Sequence, residues 1–269
     1  MLNKLLFNNR YALLALDHRG SLFKMLKEKG VKDIESSAFE FKKEVISNLC
    51  GLFSGVLVDY KIGLEAYKKV GCKKPFLLCV EKSGYVESEG ERFTEIEYSP
   101  LQLKKSGAIA AKLLLYFNPN YKSAKHQLKI GKKVFEECKK LNFPLFLEIV
   151  VYKKDGGRVE DKLILQSIET FLKAGVYPQV FKLQPPENFE VAKAITHLLK
   201  KHNLEWIVLT QGVNFLVFKE RLKIAFSAGC KGFLAGRSIW KEGVGLKKED
   251  LEEFLKTTAF NRFKEIVNL

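Results

Sequence analysis

Short, continuously apolar runs alternate along this chain with longer stretches whose apolar residues recur at three- and four-residue spacing. The first pattern marks strands covered on both faces, the second amphipathic helices. Strands are predicted over Tyr11 to Leu16, Gly55 to Asp59, Pro75 to Glu81, Ala110 to Phe117, Pro144 to Val151, Gln179 to Leu183, Trp206 to Thr210 and Gly232 to Ala235. Helices are predicted over 63–70, 123–141, 160–174, 189–202, 215–228 and 248–267. A further helix is expected behind an N-cap at Ser36 or Ser37, with Phe39, Phe41, Val45, Ile46 and Leu49 as its apolar positions. Ser99-Pro100 reads as an N-cap followed by proline in the first turn of a short helix, and Asn214 as another cap. The polar segment 83–98 is too long for an ordinary connection, and residues 84–98 are a candidate lid.

Eight such strand–helix units succeed one another without a linker or a composition break. The repeat is the βα unit itself, and it predicts an α/β chain folded as a single (β/α)8 TIM-barrel domain over residues 1–269. A doubly wound open sheet is the alternative. That arrangement more often carries a glycine-rich first turn, whereas here Asp17-His18-Arg19-Gly20 comes after the first strand and no G-x-G-x-x-G exists.

Composition changes this picture little. No run of 18 apolar residues suggests a membrane span, and Met1 to Phe7 is too short and too polar for a signal peptide. The five cysteines, Cys50, Cys72, Cys79, Cys138 and Cys230, are scattered and form no C-x-x-C pair. They read as reduced thiols of a cytoplasmic protein, not as a disulfide frame or a zinc site. The formal charge of +15 raises nucleic acid as a partner. The lysines are spread over many helices, however, so a solvated surface is expected, with no nucleic acid and no membrane as partner.

In a barrel of this kind the chemistry sits at the C-terminal ends of the strands. Lys182 stands inside the sixth strand, between Phe181 and Leu183. A desolvated ammonium has a lowered pKa, and a neutral lysine is an imine-forming nucleophile. A strand-end lysine reaching out to water is the bland alternative, and this stretch alone does not choose between them. The company of Lys182 is informative. Asp17, Lys112 and Glu148 lie on strands one, four and five, and alternation allows all four side chains to point inward. Lys112 near Lys182 would lower the pKa of one of them, and Glu148 or Asp17 would move protons. A buried ion-pair network for structure alone is the competing reading. Asp59, Glu81 and Lys82 are further polar residues at strand ends. After strands seven and eight, Gln211-Gly212-Val213-Asn214 and Gly236-Arg237-Ser238 bring glycine, backbone N–H groups and a guanidinium together, which suits a phosphate. His18 and Arg19, beside Asp17, could touch substrate, while His126, His197 and His202 lie on helix surfaces. No clustered Cys/His set is present, so no catalytic metal is expected; without G-x-S-x-G a Ser-His-Asp site is unsupported, and no cofactor is expected.

Six segments carry a family resemblance: A-L-D-H-R-G-S-L (15–22), V-E-K-S-G-Y (80–85), K-L-L-L-Y-F-N-P (112–119), F-L-E-I-V-V-Y (146–152), A-G-V-Y-P-Q-V-F-K-L (174–183) and G-F-L-A-G-R-S-I-W (232–240). Together they resemble class I aldolases, in particular the tagatose 1,6-bisphosphate aldolase group that includes sulfofructose-phosphate aldolase. The 2-deoxy-5-keto-gluconate 6-phosphate aldolase domain shares similar motifs. The resemblance implies a TIM barrel with a Schiff-base lysine at Lys182, the strand-four lysine at Lys112, the strand-five acid at Glu148, and phosphate loops at Gly212 and at Gly236-Arg237. The tagatose type carries an acid two residues beyond the lysine; here that residue is Gln184, followed by Pro185-Pro186.

The expected function is that of a metal-independent aldolase. It would cleave a phosphorylated ketose, ending in phosphate or sulfonate, into a three-carbon ketone phosphate and an aldehyde. A deoxyketogluconate-phosphate aldolase or a transaldolase-like enzyme is the alternative within Schiff-base chemistry, and a non-catalytic phosphosugar-binding barrel the alternative outside it. The partner expected is a phosphorylated sugar, and a homo-oligomer is left open.

Overall fold

The computed structural model describes residues 2–269. Eight strands form the barrel: β1 (Arg10–Leu16), β2 (Gly55–Val58), β3 (Phe76–Cys79), β4 (Ala110–Phe117), β5 (Leu145–Val151), β6 (Val180–Leu183), β7 (Glu205–Leu209) and β8 (Gly232–Ala235). Each pairs in parallel with its neighbours, and β8 and β2 both pair with β1, which closes the ring. This is the (β/α)8 barrel the alternation predicts. Around it lie α1 (Gly20–Glu28), α2 (Ile34–Leu49), α3 (Gly63–Val70), α4 (Pro100–Lys105), α5 (Ser123–Lys140), α6 (Asp161–Lys173), α7 (Phe189–Lys200) and α8 (Phe215–Ser227). The short α9 (Arg237–Trp240), then α10 (Lys248–Phe254) and α11 (Phe260–Val267), complete the chain.

The strands read as continuous apolar runs because neither face meets water. Outward residues such as Leu14, Val56, Leu113, Leu147, Phe181 and Phe233 pack against the apolar sides of the helices. Inward residues Leu13, Leu57, Leu77, Phe146, Val180, Ile207 and Leu234 fill the lower barrel, where Leu5 and Tyr11 close the floor. Leu5 ends a short helical turn, Leu2–Leu5, and Leu6–Phe7 folds back antiparallel on Arg10 and Tyr11. At the closing seam Gly232 is required. A Cβ there would lie 2.2 Å from the Tyr11 carbonyl oxygen, closer than any side chain can approach.

Three expectations are corrected, and the long polar segment is given its structure. The cap of α2 is Asp33, whose carboxylate accepts the Ser36 N–H; Ser36 and Ser37 are already inside the helix. The final helix is three pieces, with Leu255–Ala259 widened into a π turn between α10 and α11. Segment 83–98 is folded: Val86–Ser88 and Glu91–Phe93 form an antiparallel hairpin. It is pinned by the Glu91 carboxylate accepting the Ser123 N–H, by a Glu91–Lys154 ion pair and by the Arg92 N–H donating to the Tyr152 hydroxyl. Finally, Cys50 and Cys72 are joined in a disulfide, with Cα atoms 6.3 Å apart, so only Cys79, Cys138 and Cys230 are free thiols, all buried. The pair forms because α2 and α3 pack side by side and bring their C-terminal ends together. Among the described residues no helix is long and apolar enough to cross a membrane.

Candidate active site

Above the apolar floor the inward positions become charged. On β4, Lys112 shares its face with Leu114 and Tyr116; on β5, Glu148 shares its face with Phe146 and Val150. The register sets Glu148 directly beside Lys182 of β6 and Lys112 beside Cys79 of β3. These side chains line a cavity of about 520 Å3 at the C-terminal end of the barrel, with Asp17, Glu81, Gln211, Gly236 and Arg237 also on its wall. Lys182 is only 4% exposed, which decides against a side chain reaching out to bulk water.

Lys112 is the electrostatic centre. Its ammonium lies 2.8 Å from Asp17 Oδ2, 2.6 Å from Glu81 Oε1 and 2.9 Å from Glu148 Oε2. Burial alone would lower its pKa, but Asp17, Glu148 and Glu81 outweigh burial and hold it well above the usual lysine value. The lysine pair was expected to depress one member; Lys112 is pushed the other way, because three carboxylates surround it. Lys182 has one such neighbour, Glu148 Oε2 at 2.9 Å, the same oxygen that faces Lys112. That oxygen is aligned for a hydrogen bond with neither ammonium, so both contacts are ionic.

The three carboxyls are not equivalent. Burial favours protonation of each. For Asp17 the charges of Lys112, His18 and Lys182 win, and its pKa falls far below the usual range. For Glu148 the two lysines likewise win, and its pKa is lowered. For Glu81 burial prevails and the pKa rises. Glu81 was visible in the sequence as a strand-end acid but was not placed in the site. Its signal was alternation, since Leu77 faces the barrel interior and Cys79 and Glu81 come next on the same side. Its second oxygen accepts the Leu114 N–H at 3.1 Å, which fixes the carboxylate.

The other expected residues divide. His18 lines the cavity, with its ring edge-on to Trp240 and Nδ1 3.7 Å from Asp17 Oδ1. Burial drives its pKa down to about 3, so the ring is neutral near pH 7. Arg19 touches the cavity, but its guanidinium donates to Glu97 Oε2 at 2.7 Å and to the Glu81 carbonyl at 3.3 Å. Arg237 has no ion pair among the described residues and lies on the cavity wall. Gly212, at φ +72, sits behind it, where a Cβ would be 3.2 Å from Arg237 Nε. Gln211 is on the wall, with its side-chain oxygen accepting from Arg221 at 3.3 Å. Asp59 is not in the site: it pairs with buried Lys42 and caps α3 by accepting the Ile62 and Gly63 N–H groups. Gln184 reaches the cavity wall, but its amide is engaged by the Val151 backbone at 2.8 and 3.2 Å.

One set of side chains has the spacing for a metal ion, namely Asp17, Cys79 and Glu81. It does not fit one. The Lys112 ammonium already occupies the cation position between the two carboxylates, and burial holds the Cys79 thiol well above its usual pKa, hence protonated.

The sixth strand thus carries a buried lysine, a carboxylate bridges it to a second lysine enclosed by acids, and an arginine without an ion pair lies on the rim. The chain belongs to the family described as "Uncharacterized protein conserved in bacteria (DUF2090)", whose model matches residues 6–268. It is 29% identical over 263 residues to tagatose 1,6-diphosphate aldolase 2 of Enterococcus faecalis, covering 86% of this chain and 79% of that protein. It is 28% identical over 300 residues to tagatose 1,6-diphosphate aldolase of Lactococcus lactis, covering 96% and 90%. Among solved structures, an archaeal fructose 1,6-bisphosphate aldolase shares the fold with a TM-score of 0.68 at 16% identity, over 97% of each chain. The fructose-bisphosphate aldolase of Slackia heliotrinireducens has a TM-score of 0.70 at 13% identity, over 99% of this chain and 88% of that one. The likeness to the tagatose 1,6-bisphosphate aldolase group, read from six short segments, is borne out.

Proposed function

We propose that this chain cleaves a phosphorylated ketose into dihydroxyacetone phosphate, or a close three-carbon analogue, and an aldehyde, with Lys182 as the imine-forming residue. The observation that carries this reading is the contrast between the lysines. Both face Glu148 Oε2 at 2.9 Å, but Lys112 is also enclosed by Asp17 and Glu81, whereas Lys182 has no further carboxylate against it and opens on the cavity.

In the proposed sequence the Lys182 amine adds to the C2 carbonyl and water leaves, giving a protonated imine. Glu148, or Asp17 in second place, removes the C4 hydroxyl proton. The C3–C4 bond then breaks, its electron pair moving to the imine nitrogen, and the aldehyde departs. The resulting enamine takes a proton at C3, and water hydrolyses the imine to release the ketone phosphate. Lys112 remains charged; two of its N–H groups stay on Asp17 and Glu81, and the third turns to a substrate oxygen and stabilises negative charge developing there. The C1 phosphate lies against Gln211, Gly236 and Arg237, the free guanidinium of the rim. Gly212 leaves room for Arg237.

Borohydride reduction in the presence of dihydroxyacetone phosphate, with subsequent peptide mapping, tests this directly. The expected result is one reduced three-carbon adduct on Lys182, absent in Lys182→Met. An adduct on Lys112 would reverse the two roles, and undiminished turnover by Lys182→Met would refute the mechanism.

A further inference from the structure

The two ends of the barrel treat their cations differently. At the catalytic end Lys61, after β2, pairs with Glu97 at 2.9 Å; Lys82, after β3, with Glu95 at 3.1 Å; and Lys154, after β5, with Glu91 at 2.7 Å. At the opposite end the chain leaves α3 through K-K-V-G-C-K-K (68–74), α4 through K-K-S-G (104–107) and α5 through K-K-L-N (139–142), before entering β3, β4 and β5. None of these lysines pairs with a carboxylate among the described residues, and all but the half-buried Lys74 are exposed. No acid occurs in 68–75, 104–109 or 139–144; Glu65, Glu136 and Glu137 stand a turn further back in their helices.

The fold joins these turns into one surface. Lys104 Nζ donates to the Leu141 carbonyl at 2.6 Å, which ties the end of α4 to the end of α5. The Tyr67 hydroxyl donates to the Lys74 carbonyl at 2.6 Å, and the Tyr67 ring lies 4.8 Å from that of Phe76. Phe76 in turn packs on the turn after α4, where a Cβ on Gly107 would be 3.6 Å from its ring. With neighbouring helices about 10 Å apart, the patch spans about 20 Å. Lysines that the sequence spreads over several helices are thus gathered on one face. A lysine in a last turn answers the helix dipole, which accounts for the pairs that end α3, α4 and α5 taken singly. It does not account for Lys73-Lys74, which belong to no helix, or for the lack of any counter-charge.

We infer that this face, remote from Lys182, binds the phosphate backbone of a nucleic-acid duplex. A duplex carries about one negative charge per 1.7 Å of its axis on a stiff rod, which suits ammonium groups fixed in a row on rigid helix ends. The three segments expose no large apolar or aromatic side chain, so the surface has nothing to sink into a bilayer or to stack on unpaired bases. Lysine is a point charge without the planar fork that reads base edges, so the binding is independent of sequence. The inference does not depend on the aldolase reading.

Fluorescence anisotropy with a short labelled DNA duplex of mixed sequence tests it, titrated from about 50 to about 200 mM salt. The wild type is expected to bind, with log K falling linearly and steeply against log salt. In Lys69→Gln/Lys73→Gln/Lys105→Gln/Lys140→Gln the slope should become shallower by about 3 to 4, and affinity at the lower salt should drop about tenfold or more. A control with the same loss of charge from other elements, Lys32→Gln/Lys129→Gln/Lys162→Gln/Lys193→Gln, should keep both the slope and most of the affinity. Both variants should keep the wild-type unfolding midpoint and turnover. Equal weakening in the two variants would overturn the inference and make binding a property of net charge alone. Tighter binding to a single strand of the same sequence would overturn it as well. So would retention on phosphatidylserine vesicles without duplex binding, or a wild type that binds no duplex at the lower salt.

Discussion

Lys112 and Lys182 carry the same functional group in the same buried setting, and their different surroundings set them apart. Removing the Lys112 charge leaves Asp17, Glu81 and Glu148 buried without their common counter-ion. Lys112→Met is therefore expected to lose stability by about 3 kcal/mol and turnover by two or more orders of magnitude. Adding Glu81→Gln removes one of the uncompensated charges. The double variant should regain part of the stability in urea unfolding and none of the turnover, whereas recovery of turnover would make Lys112 a merely structural cation. At this scale the sequence was informative about inward residues in long strands. Asp17, Lys112, Glu148 and Lys182 were all placed by alternation, and all line one cavity. It was uninformative at strand ends, where the path of the next loop sets the direction of a side chain. Glu81 and Asp59 both end strands, yet Glu81 turns into the barrel and Asp59 turns outward to Lys42 and the start of α3.

Among the elements, the strands and most helices were legible because each is specified by its own residues. The stretches 63–70, 110–117 and 232–235 match the observed spans Gly63–Val70, Ala110–Phe117 and Gly232–Ala235. The hairpin after β3 was legible only as an overlong polar stretch, since its anchors Ser123, Gln127, Tyr152 and Lys154 lie some 30 or more residues away. The Cys50–Cys72 bridge was misread for the same reason: 22 residues separate the cysteines, and only the packing of α2 on α3 unites them. Closing a loop of that length restricts the unfolded chain by roughly 3 kcal/mol. Cys50→Ser/Cys72→Ser is expected to unfold at lower urea by about that amount and to keep its turnover, because neither cysteine lines the cavity. An equal loss in wild type after reduction with dithiothreitol, and none in the variant, would attribute the effect to the bridge.

For the whole molecule, burying so many charges at one end of the barrel ties stability to pH, and the sign differs between groups. The His18 pKa falls from an ordinary 6.5 to about 3 in the folded state, so the unfolded chain takes up this proton first. Its contribution is complete above pH 6.5 and is lost as pH falls toward 3. Asp17 and Glu148, with lowered values, act in the same direction at lower pH, where the unfolded carboxylates begin to protonate. Glu81 opposes them: its raised value lets the folded chain bind its proton first, which penalises folding as pH rises above the ordinary glutamate range. The slope of the wild type alone thus mixes opposite terms, and a comparison with His18→Gln isolates one. The difference in unfolding free energy between the two proteins should be flat above pH 6.5. By pH 5.5 it should move in favour of the variant by at most about 1.4 kcal/mol, because glutamine has no proton to gain on unfolding. A difference that stays constant down to pH 4.5 would mean that His18 charges as readily in the folded barrel as in water, and the ring would then be a cation beside Asp17 instead of a neutral wall of the cavity.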